Sequence, residues 1–159
     1  MIKIKIIALG KLKEKYLVDA FCEYRKRLGA YCDFSLEEIN PVQLSENPSH
    51  DEIESALKKE AQMIMKKIPE KYRVVALCVE GKEQSSEDFA KTVEICKNEG
   101  KNICFIIGSS YGLSCEIKQK ADQRMSVSKM TFPHQLFRVL LAEQIYRAFK
   151  ICEGSKYHK

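Results

Sequence analysis

Apolar residues recur along the chain at two spacings, and the spacing changes from one segment to the next. Residues 2–9 alternate between apolar and polar and then become continuously apolar, a pattern typical of a strand. Residues 14–31 place an apolar side chain at every third or fourth position, which is the spacing of one helix face. The two patterns follow each other to the end of the chain, so strands and helices are expected to alternate.

The same periodicity places the other elements. Strands are predicted over 2–9, 32–39, 73–79 and 103–107, with a brief strand or extended segment over 125–130. Helices are predicted over 14–31, 49–68, 85–100, 114–122 and 133–151. Ser49 begins a capping box, and Gly81 is expected to end the third strand.

Alternating strands and helices indicate an α/β fold with a mostly parallel sheet flanked by helices. Segments 73–79 and 103–107 are typical of strands buried on both faces. The 159 residues fit one compact domain, and no linker or repeat divides them. We therefore expect a single domain over residues 1–159.

Composition narrows the class of protein. No apolar run approaches the ~18 residues of a membrane-spanning helix, and the first segment is not typical of a signal peptide. A cytoplasmic protein without membrane contact is expected. The seven cysteines are odd in number and include no Cys-x-x-Cys pair, so we expect reduced thiols and no metal site.

Positive charge is concentrated at one end of the chain. Residues 118–159 hold nine Lys and Arg but three Asp and Glu, a net charge of +6. Residues 1–117 hold 18 basic and 19 acidic residues, a net charge of −1. A solvated helix face explains any single lysine, whereas the imbalance indicates contact with a polyanion such as nucleic acid.

Three loops are candidates for a ligand site, because ligands bind parallel sheets at the carboxyl ends of their strands. They span 77–82, 107–113 and 127–134. Gly108 and Gly112 let the backbone approach a ligand closely, but their spacing is neither a dinucleotide fingerprint nor a P-loop, and a plain turn is the alternative. Met130 and Phe132 favour either a slot for a flat ring or a hydrophobic staple on the last helix.

The longer motifs resemble one known family. Residues 128–135, 138–148 and 157–159, together with 8–13 and 80–82, resemble the RlmH family. These are 23S rRNA (pseudouridine(1915)-N3)-methyltransferases, small SPOUT enzymes that work as homodimers. The resemblance covers essentially the whole chain, and its C-terminal motifs are the most specific.

The resemblance implies a fold, a cofactor and partners. It implies a C-terminal trefoil knot, which is an exception to the rule that protein chains do not thread loops. The knot and the cofactor site are expected within about 73–151, and residues 152–159 are expected to form a functional tail. The cofactor is expected to be S-adenosylmethionine. The expected partners are 23S rRNA, in the large subunit or the assembled ribosome, and a second copy of the chain.

The resemblance also assigns cofactor contacts. They are Leu77, Gly108, Val127, Ser128, Lys129, Met130, Thr131 and Phe132. The family often carries a second glycine after Gly108, where this chain has Ser109, so Ser109 is expected only to line the site.

Methylation at N3 requires that the imide proton of the base leaves, and a general base would help. His134 lies beside the proposed pocket, although a structural hydrogen bond is the more ordinary role there. The resemblance instead places Tyr157 and His158 of one protomer against the site of the other, where Tyr157 can stack on the base. Phosphate and RNA contacts are expected at Arg138, Arg147 and Lys156, with Lys129 as a competitor.

Three other functions stay open on the residues alone. They are a SPOUT methyltransferase acting on tRNA, a non-catalytic RNA-binding or ribosome-associated protein, and a nucleotide-dependent oxidoreductase. The last is disfavoured because Gly-x-Gly-x-x-Gly is missing. Binding of S-adenosylmethionine separates the methyltransferases from the other two.

Overall fold

Five parallel strands form one sheet in the computed structural model, which describes residues 1–159. The strands are β1 (Lys3–Leu9), β2 (Asp33–Ile39), β3 (Tyr72–Glu83), β4 (Asn102–Ile107) and β5 (Gln123–Ser126). The helices are α1 (Lys15–Leu28), α2 (His50–Met65), α3 (Ser86–Asn98), α4 (Cys115–Lys120) and α5 (His134–Cys152). The predicted α/β fold is confirmed; the knot stays a prediction.

The strand order is β2-β1-β4-β3-β5. All pairs are parallel, so the carboxyl ends of all five strands meet at one edge of the sheet. The chain leaving β1 runs to β2 on one side, whereas the chain leaving β4 runs to β5 on the other. This reversal opens a crevice between the carboxyl ends of β1 and β4, the usual place for a ligand in such sheets.

Helices cover both faces of the sheet. The larger core packs α1, α3 and α5 against one face through residues such as Leu17, Phe89 and Ile145. The smaller core packs α2 and α4 against the other through Ile64 and Ile117. Strand β4 is therefore buried on both faces over 103–107, as its apolar sequence predicts, whereas β3 is buried only over 75–77 and Val79 is 55% exposed.

Serine caps begin three of the helices. Ser49 Oγ accepts a hydrogen bond from the Glu52 N–H at 3.2 Å, and Ser85 Oγ accepts one from the Asp88 N–H at 3.1 Å. Ser114 caps α4 in the same way. These bonds satisfy backbone donors that a first helical turn leaves open, which fixes where each helix begins.

The third strand is longer than its sequence predicts. It continues through Gly81 because Lys82 and Glu83 pair with Met125 and Ser126, after a register shift that follows Leu77. A Cβ at Gly81 would lie 2.6 Å from the Met125 carbonyl carbon. The prediction that Gly81 ends the strand is therefore wrong: the glycine lets β3 and β5 approach each other closely.

Three further features concern the whole chain. No helix is both long and apolar enough to cross a bilayer. All seven cysteines are free thiols. No group of three or more His, Cys, Asp or Glu side chains is arranged to hold a metal ion.

Candidate active site

A cleft of about 710 Å³ opens at the carboxyl edge of β3, β4 and β5. The three loops singled out from the sequence meet here, joined by Lys118 and Phe137. Seven of the eight expected cofactor contacts line it: Leu77, Gly108, Val127, Ser128, Met130, Thr131 and Phe132. Lys129 does not line it and is exposed to solvent.

Backbone N–H groups contribute to the polar surface of this cleft. The N–H groups of Ser110, Tyr111, Thr131 and Phe132 donate to no acceptor within the chain. In the third loop the Met130 N–H is held by Ser128 Oγ at 3.0 Å. Backbone donors that find no partner in the fold are open to a polar ligand.

Apolar side chains form the walls of the cleft. Phe132 and Phe137 pack with ring centroids 6.5 Å apart and planes tilted by 32°. Because α5 begins at His134, this pair has the positions of a hydrophobic staple, and both rings also line the cleft. The two interpretations of this loop are thus compatible, since the staple holds one wall in place.

Three titratable groups at the cleft have shifted pKa values, and burial raises that of the Cys78 thiol. Lys118 pairs with Glu80, and this hydrogen bond lowers the pKa of the carboxyl. Burial, with a smaller effect from Arg138, lowers the pKa of His134, so its imidazole is neutral at pH 7. A neutral imidazole can accept a hydrogen bond, but its basicity is reduced.

The second loop closes tightly on itself. A Cβ at Gly108 would overlap the carbonyl oxygen of Gly112 and lie 3.0 Å from Leu113 Cγ. The Ser109 hydroxyl donates to Glu60 Oε1 on α2 at 3.3 Å, which ties the loop to that helix. Glycine is thus required at 108 by the loop itself, and Ser109 anchors the loop.

Arg138 has a structural position. Its side chain is fully buried, with Nη1 2.9 Å from Glu38 Oε2 and Nη2 donating to the Leu9 carbonyl at 2.9 Å. A buried guanidinium in these bonds ties α5 to the ends of β1 and β2 and cannot reach a phosphate. The expectation that Arg138 contacts RNA phosphate is therefore wrong.

The C-terminal tail packs on its own protomer, away from its own cleft. Tyr157 donates to Glu143 Oε1 at 3.2 Å, and its ring lies 4.8 Å from the guanidinium of Arg147. His158 Nε2 lies 2.8 Å from Glu87 Oε1, and its Nδ1 lies 3.3 Å from Arg147 Nη1. These five residues, which we call the tail patch, include none that lines the cleft.

Arg147 is the centre of this patch. It donates to Glu143 Oε1 from Nε at 2.9 Å and from Nη2 at 2.6 Å, and these hydrogen bonds raise its pKa. Burial raises the pKa of the Tyr157 hydroxyl. The side chain of Arg147 keeps 25% of its surface exposed, whereas Lys156 is an exposed residue.

A family model described as "Predicted SPOUT methyltransferase" matches residues 2–158. The chain belongs to the SPOUT methyltransferases. Its relatives include the "Ribosomal RNA large subunit methyltransferase H" of Streptococcus thermophilus, 49% identical over 158 residues, with 99% of each chain covered. The protein of that name from Ligilactobacillus salivarius is 48% identical over 157 residues, covering 98% of this chain and 99% of the relative.

Solved structures share the SPOUT fold of this chain. A putative methylase family protein from Neisseria gonorrhoeae superposes with a TM-score of 0.54 at 11% identity, covering 91% of this chain and 82% of that one. A probable methylase family protein from Haemophilus influenzae gives 0.51 at 14% identity, covering 97% and 67%.

S-adenosylmethionine is the methyl donor of SPOUT enzymes, and the cleft suits it. The molecule combines a flat ring with hydroxyl, carboxylate and ammonium groups. The apolar walls at Leu77 and Phe132 suit the ring, and the open N–H groups suit the polar atoms. The cleft lies within the volume range of about 300–1,000 Å³ that is usual for small-molecule sites.

The polar partners in these two regions could not be predicted from sequence patterns. Glu87 and Glu143 lie on helix faces that show no unusual pattern. Glu60 is the exception, because its position between Leu57 and Ile64 on the apolar face of its helix can be recognised in the sequence. In the structure it is only 4% exposed. An acid at such a position marks a buried polar contact.

Proposed function

We propose that this SPOUT methyltransferase methylates N3 of pseudouridine 1915 in 23S rRNA, on the assembled ribosome. The observation that carries the proposal is identity of nearly half over the full length of relatives named as large-subunit rRNA methyltransferases. The basic C-terminal quarter of the chain agrees with an RNA substrate. A domain this small has little surface with which to read a short RNA sequence, so a large assembled target suits it.

In this proposal the cofactor contacts are the seven lining residues named above. S-adenosylmethionine supplies an electrophilic methyl group, so the protein acts through positioning and electrostatics. The amides of Ser110 and Tyr111 hold polar atoms of the cofactor, and Leu77 and Phe132 enclose its ring. The third loop is kept in shape by two bonds at Ser128, whose carbonyl accepts from Ser126 Oγ at 2.9 Å and whose Oγ accepts from the Met130 N–H.

The active enzyme in this proposal is a homodimer with two shared sites. The tail patch carries a phenol, an imidazole and a guanidinium, but it contributes nothing to the cleft of its own protomer. A twofold interface brings the tail patch of one protomer to the cleft of the other. Tyr157 and His158 then orient the base, and His134 remains the alternative group within the cleft.

RNA binding in this proposal uses the exposed cations. Lys156 and Lys129 are on the surface and free to meet phosphate, and Arg147 keeps part of its guanidinium exposed. Arg138 is excluded by its burial.

The test is methyl transfer to ribosomes from a strain that lacks this enzyme, followed by mass spectrometry of the modified nucleosides and mapping of the site. The expected result is one N3-methylpseudouridine per large subunit at position 1915. Methylation of tRNA alone, or of another nucleotide, would overturn the proposal. Naked 23S rRNA and isolated subunits in parallel reactions identify the assembly state that is recognised.

A further inference from the structure

A second, smaller cavity of about 230 Å³ lies beside the cofactor cleft. It occupies the crevice between β1 and β4, where Leu9 ends one strand and residues 109–111 follow the other. Helix α2 and residues 41–45 close its far side. Residues 109–111 and His134 line both the cavity and the cleft, so one ligand can extend from the cleft into the cavity.

Glu60 on α2 is the only carboxylate that lines this cavity, and no lysine or arginine lines it. Glu60 is 4% exposed, and its two hydrogen bonds come from the Val42 N–H and the Ser109 hydroxyl, both at 3.3 Å. Two carboxylate oxygens offer about four lone-pair positions, so acceptor positions remain open.

A buried carboxylate without a cation is costly, and burial raises the pKa of Glu60 accordingly. A ligand that brings a positive charge into the cavity would offset this cost. The same carboxylate repels phosphate or any other anion. The cavity therefore favours a cationic group that donates hydrogen bonds.

S-adenosylmethionine carries such a group, because its amino-acid part ends in an ammonium and a carboxylate on the same carbon. The cleft itself offers one carboxylate, that of Glu80, which is already paired with Lys118. Among the side chains that line the cleft or the cavity, Glu60 is thus the only carboxylate without a cation.

The surroundings of Glu60 suit both charges of this amino-acid part. The N–H groups of Ser110 and Tyr111 donate to no acceptor within the chain, and such open N–H groups can bind a carboxylate. The bond from Ser109 to Glu60 holds the start of this loop beside the acid. An ammonium has three donors, and Gln43 and Ser45 line the cavity as further acceptors.

The volume and the apolar walls limit what the cavity can take. Its size is below the range of about 300–1,000 Å³ that is usual for a whole small molecule, so it suits one part of a ligand. Leu9, Ile53 and Leu57 contribute apolar surface for the methylene groups that join the charged carbon to the sulfur.

We propose that Glu60 binds the ammonium group of S-adenosylmethionine, whose amino-acid part extends from the cleft into this cavity. The proposal rests on the proposed cofactor cleft, in which Leu77 and Phe132 enclose the adenine ring. The sulfonium methyl stays in the cleft, where the partner's tail patch orients the base, and the cavity holds no part of the RNA.

Calorimetry of the full-length protein with two ligands tests this assignment. The ligands are S-adenosylhomocysteine and its analogue that carries a hydrogen in place of the amino group. We expect the analogue to bind at least ~10-fold more weakly, as for a lost hydrogen bond between charged groups. Equal affinities of the wild type for the two ligands overturn the proposal.

Glu60→Gln tests the carboxylate itself. A glutamine can accept from the Val42 N–H through its oxygen and donate to the Ser109 hydroxyl through its amide, so the fold is expected to survive. The variant should no longer distinguish the two ligands. The matched control is Glu54→Gln, which removes the same charge from an exposed position on the same helix and should keep the wild-type preference. If Glu60→Gln keeps the full preference, the ammonium does not meet this carboxylate and the proposal fails.

A second variant covers failure of Glu60→Gln to fold. Ala56→Leu adds volume to the cavity from α2 without changing any polar group. It should weaken binding of S-adenosylhomocysteine at least ~10-fold, because the amino-acid part loses its place. 5′-Methylthioadenosine has no amino-acid part and should bind this variant with wild-type affinity. Undiminished affinity of Ala56→Leu for S-adenosylhomocysteine overturns the cavity assignment.

Failure of this proposal can be told apart from failure of the cofactor cleft. 5′-Methylthioadenosine reports on the cleft alone, and Gly108→Ala should weaken its binding. If Gly108→Ala does so but the wild type ignores the amino group of S-adenosylhomocysteine, only the assignment of Glu60 is wrong. If Gly108→Ala binds both ligands as the wild type does, the cleft is wrong and the assignment of Glu60 falls with it.

Discussion

The cofactor cleft and the tail patch consist of different kinds of chemical groups. The cleft presents open main-chain N–H groups and apolar walls, with one ion pair at its margin. The tail patch consists entirely of charged, aromatic and titratable side chains that bond to one another. The cleft can hold a cofactor but offers little acid–base chemistry, and the patch has that chemistry but no cavity. Each region carries groups that the other lacks, and this complementarity supports the proposal of a site shared between two protomers.

The largest expected effect comes from removing residues 157–159. This deletion should lower methyl transfer by more than ~100-fold, because it removes the groups that orient the base. Affinity for S-adenosylmethionine should be nearly unchanged, since no tail residue lines the cleft of its own protomer and the partner's tail is proposed to meet the base. The measurement is single-turnover methyl transfer to unmodified ribosomes, paired with calorimetry of cofactor binding. Removing Lys159 alone is the control, and wild-type turnover of the longer deletion would contradict the assignment.

Gly108→Ala should have the reverse effect and weaken cofactor binding by roughly 10–100-fold. The added Cβ overlaps the Gly112 carbonyl, so the loop must shift and its amides lose their alignment. The contacts of the tail should stay as they are. Gly100→Ala is a useful control for a strained glycine elsewhere: Gly100 has a φ of +67°, follows α3, and a Cβ there would meet no atom. Cofactor affinity within twofold of wild type would remove this loop from the site.

These two regions differ in how well the sequence predicts them. The cleft follows from local patterns, because strand ends and glycines mark the loops and parallel strands bring the loops together. The tail patch depends on pairs such as His158 with Glu87, which lie 71 residues apart in the chain. The burial of Arg138 likewise depends on Glu38, 100 residues earlier. Neither pairing produces a periodic pattern in the sequence. The extension of β3 through Gly81 is likewise not predictable from local patterns, because it depends on pairing with Met125 and Ser126.

Two arginines on α5, Arg138 and Arg147, are expected to differ in their effects on stability and on methyl transfer. Arg138→Met should reduce the free energy of unfolding by about 3 kcal/mol, because it removes the buried partner of a half-buried ion pair and leaves the Leu9 carbonyl without its donor. Arg147→Met should cost about 1 kcal/mol or less, since that residue is partly exposed, but should reduce methyl transfer more strongly. Urea unfolding and turnover, measured on both variants, give the test. Equal losses of stability would contradict the distinction.

The smallest expected effect is at Lys156. Lys156→Ala should weaken ribosome binding a few-fold and reduce the slope of log affinity against log salt by about 1, with turnover at saturation unchanged. Binding measured at several salt concentrations checks this, and Lys101→Ala, in the loop before β4, is the control. An unchanged slope would mean that the lysine does not meet phosphate.

The central claim, that cleft and tail patch of different protomers form one active site, is tested most directly by a mixed dimer. One protomer carries Gly108→Ala and an intact tail, and the other lacks residues 157–159 and keeps an intact cleft. At an S-adenosylmethionine concentration that saturates the wild type but lies well below the Kd of the Gly108→Ala variant, each pure variant should have little activity. The mixed dimer, isolated through two different affinity tags, contains one complete shared site and should methylate pseudouridine 1915 at about half the wild-type rate. If the tail served the cleft of its own protomer, no site would be complete, and activity no higher than that of the two variants alone would contradict the account.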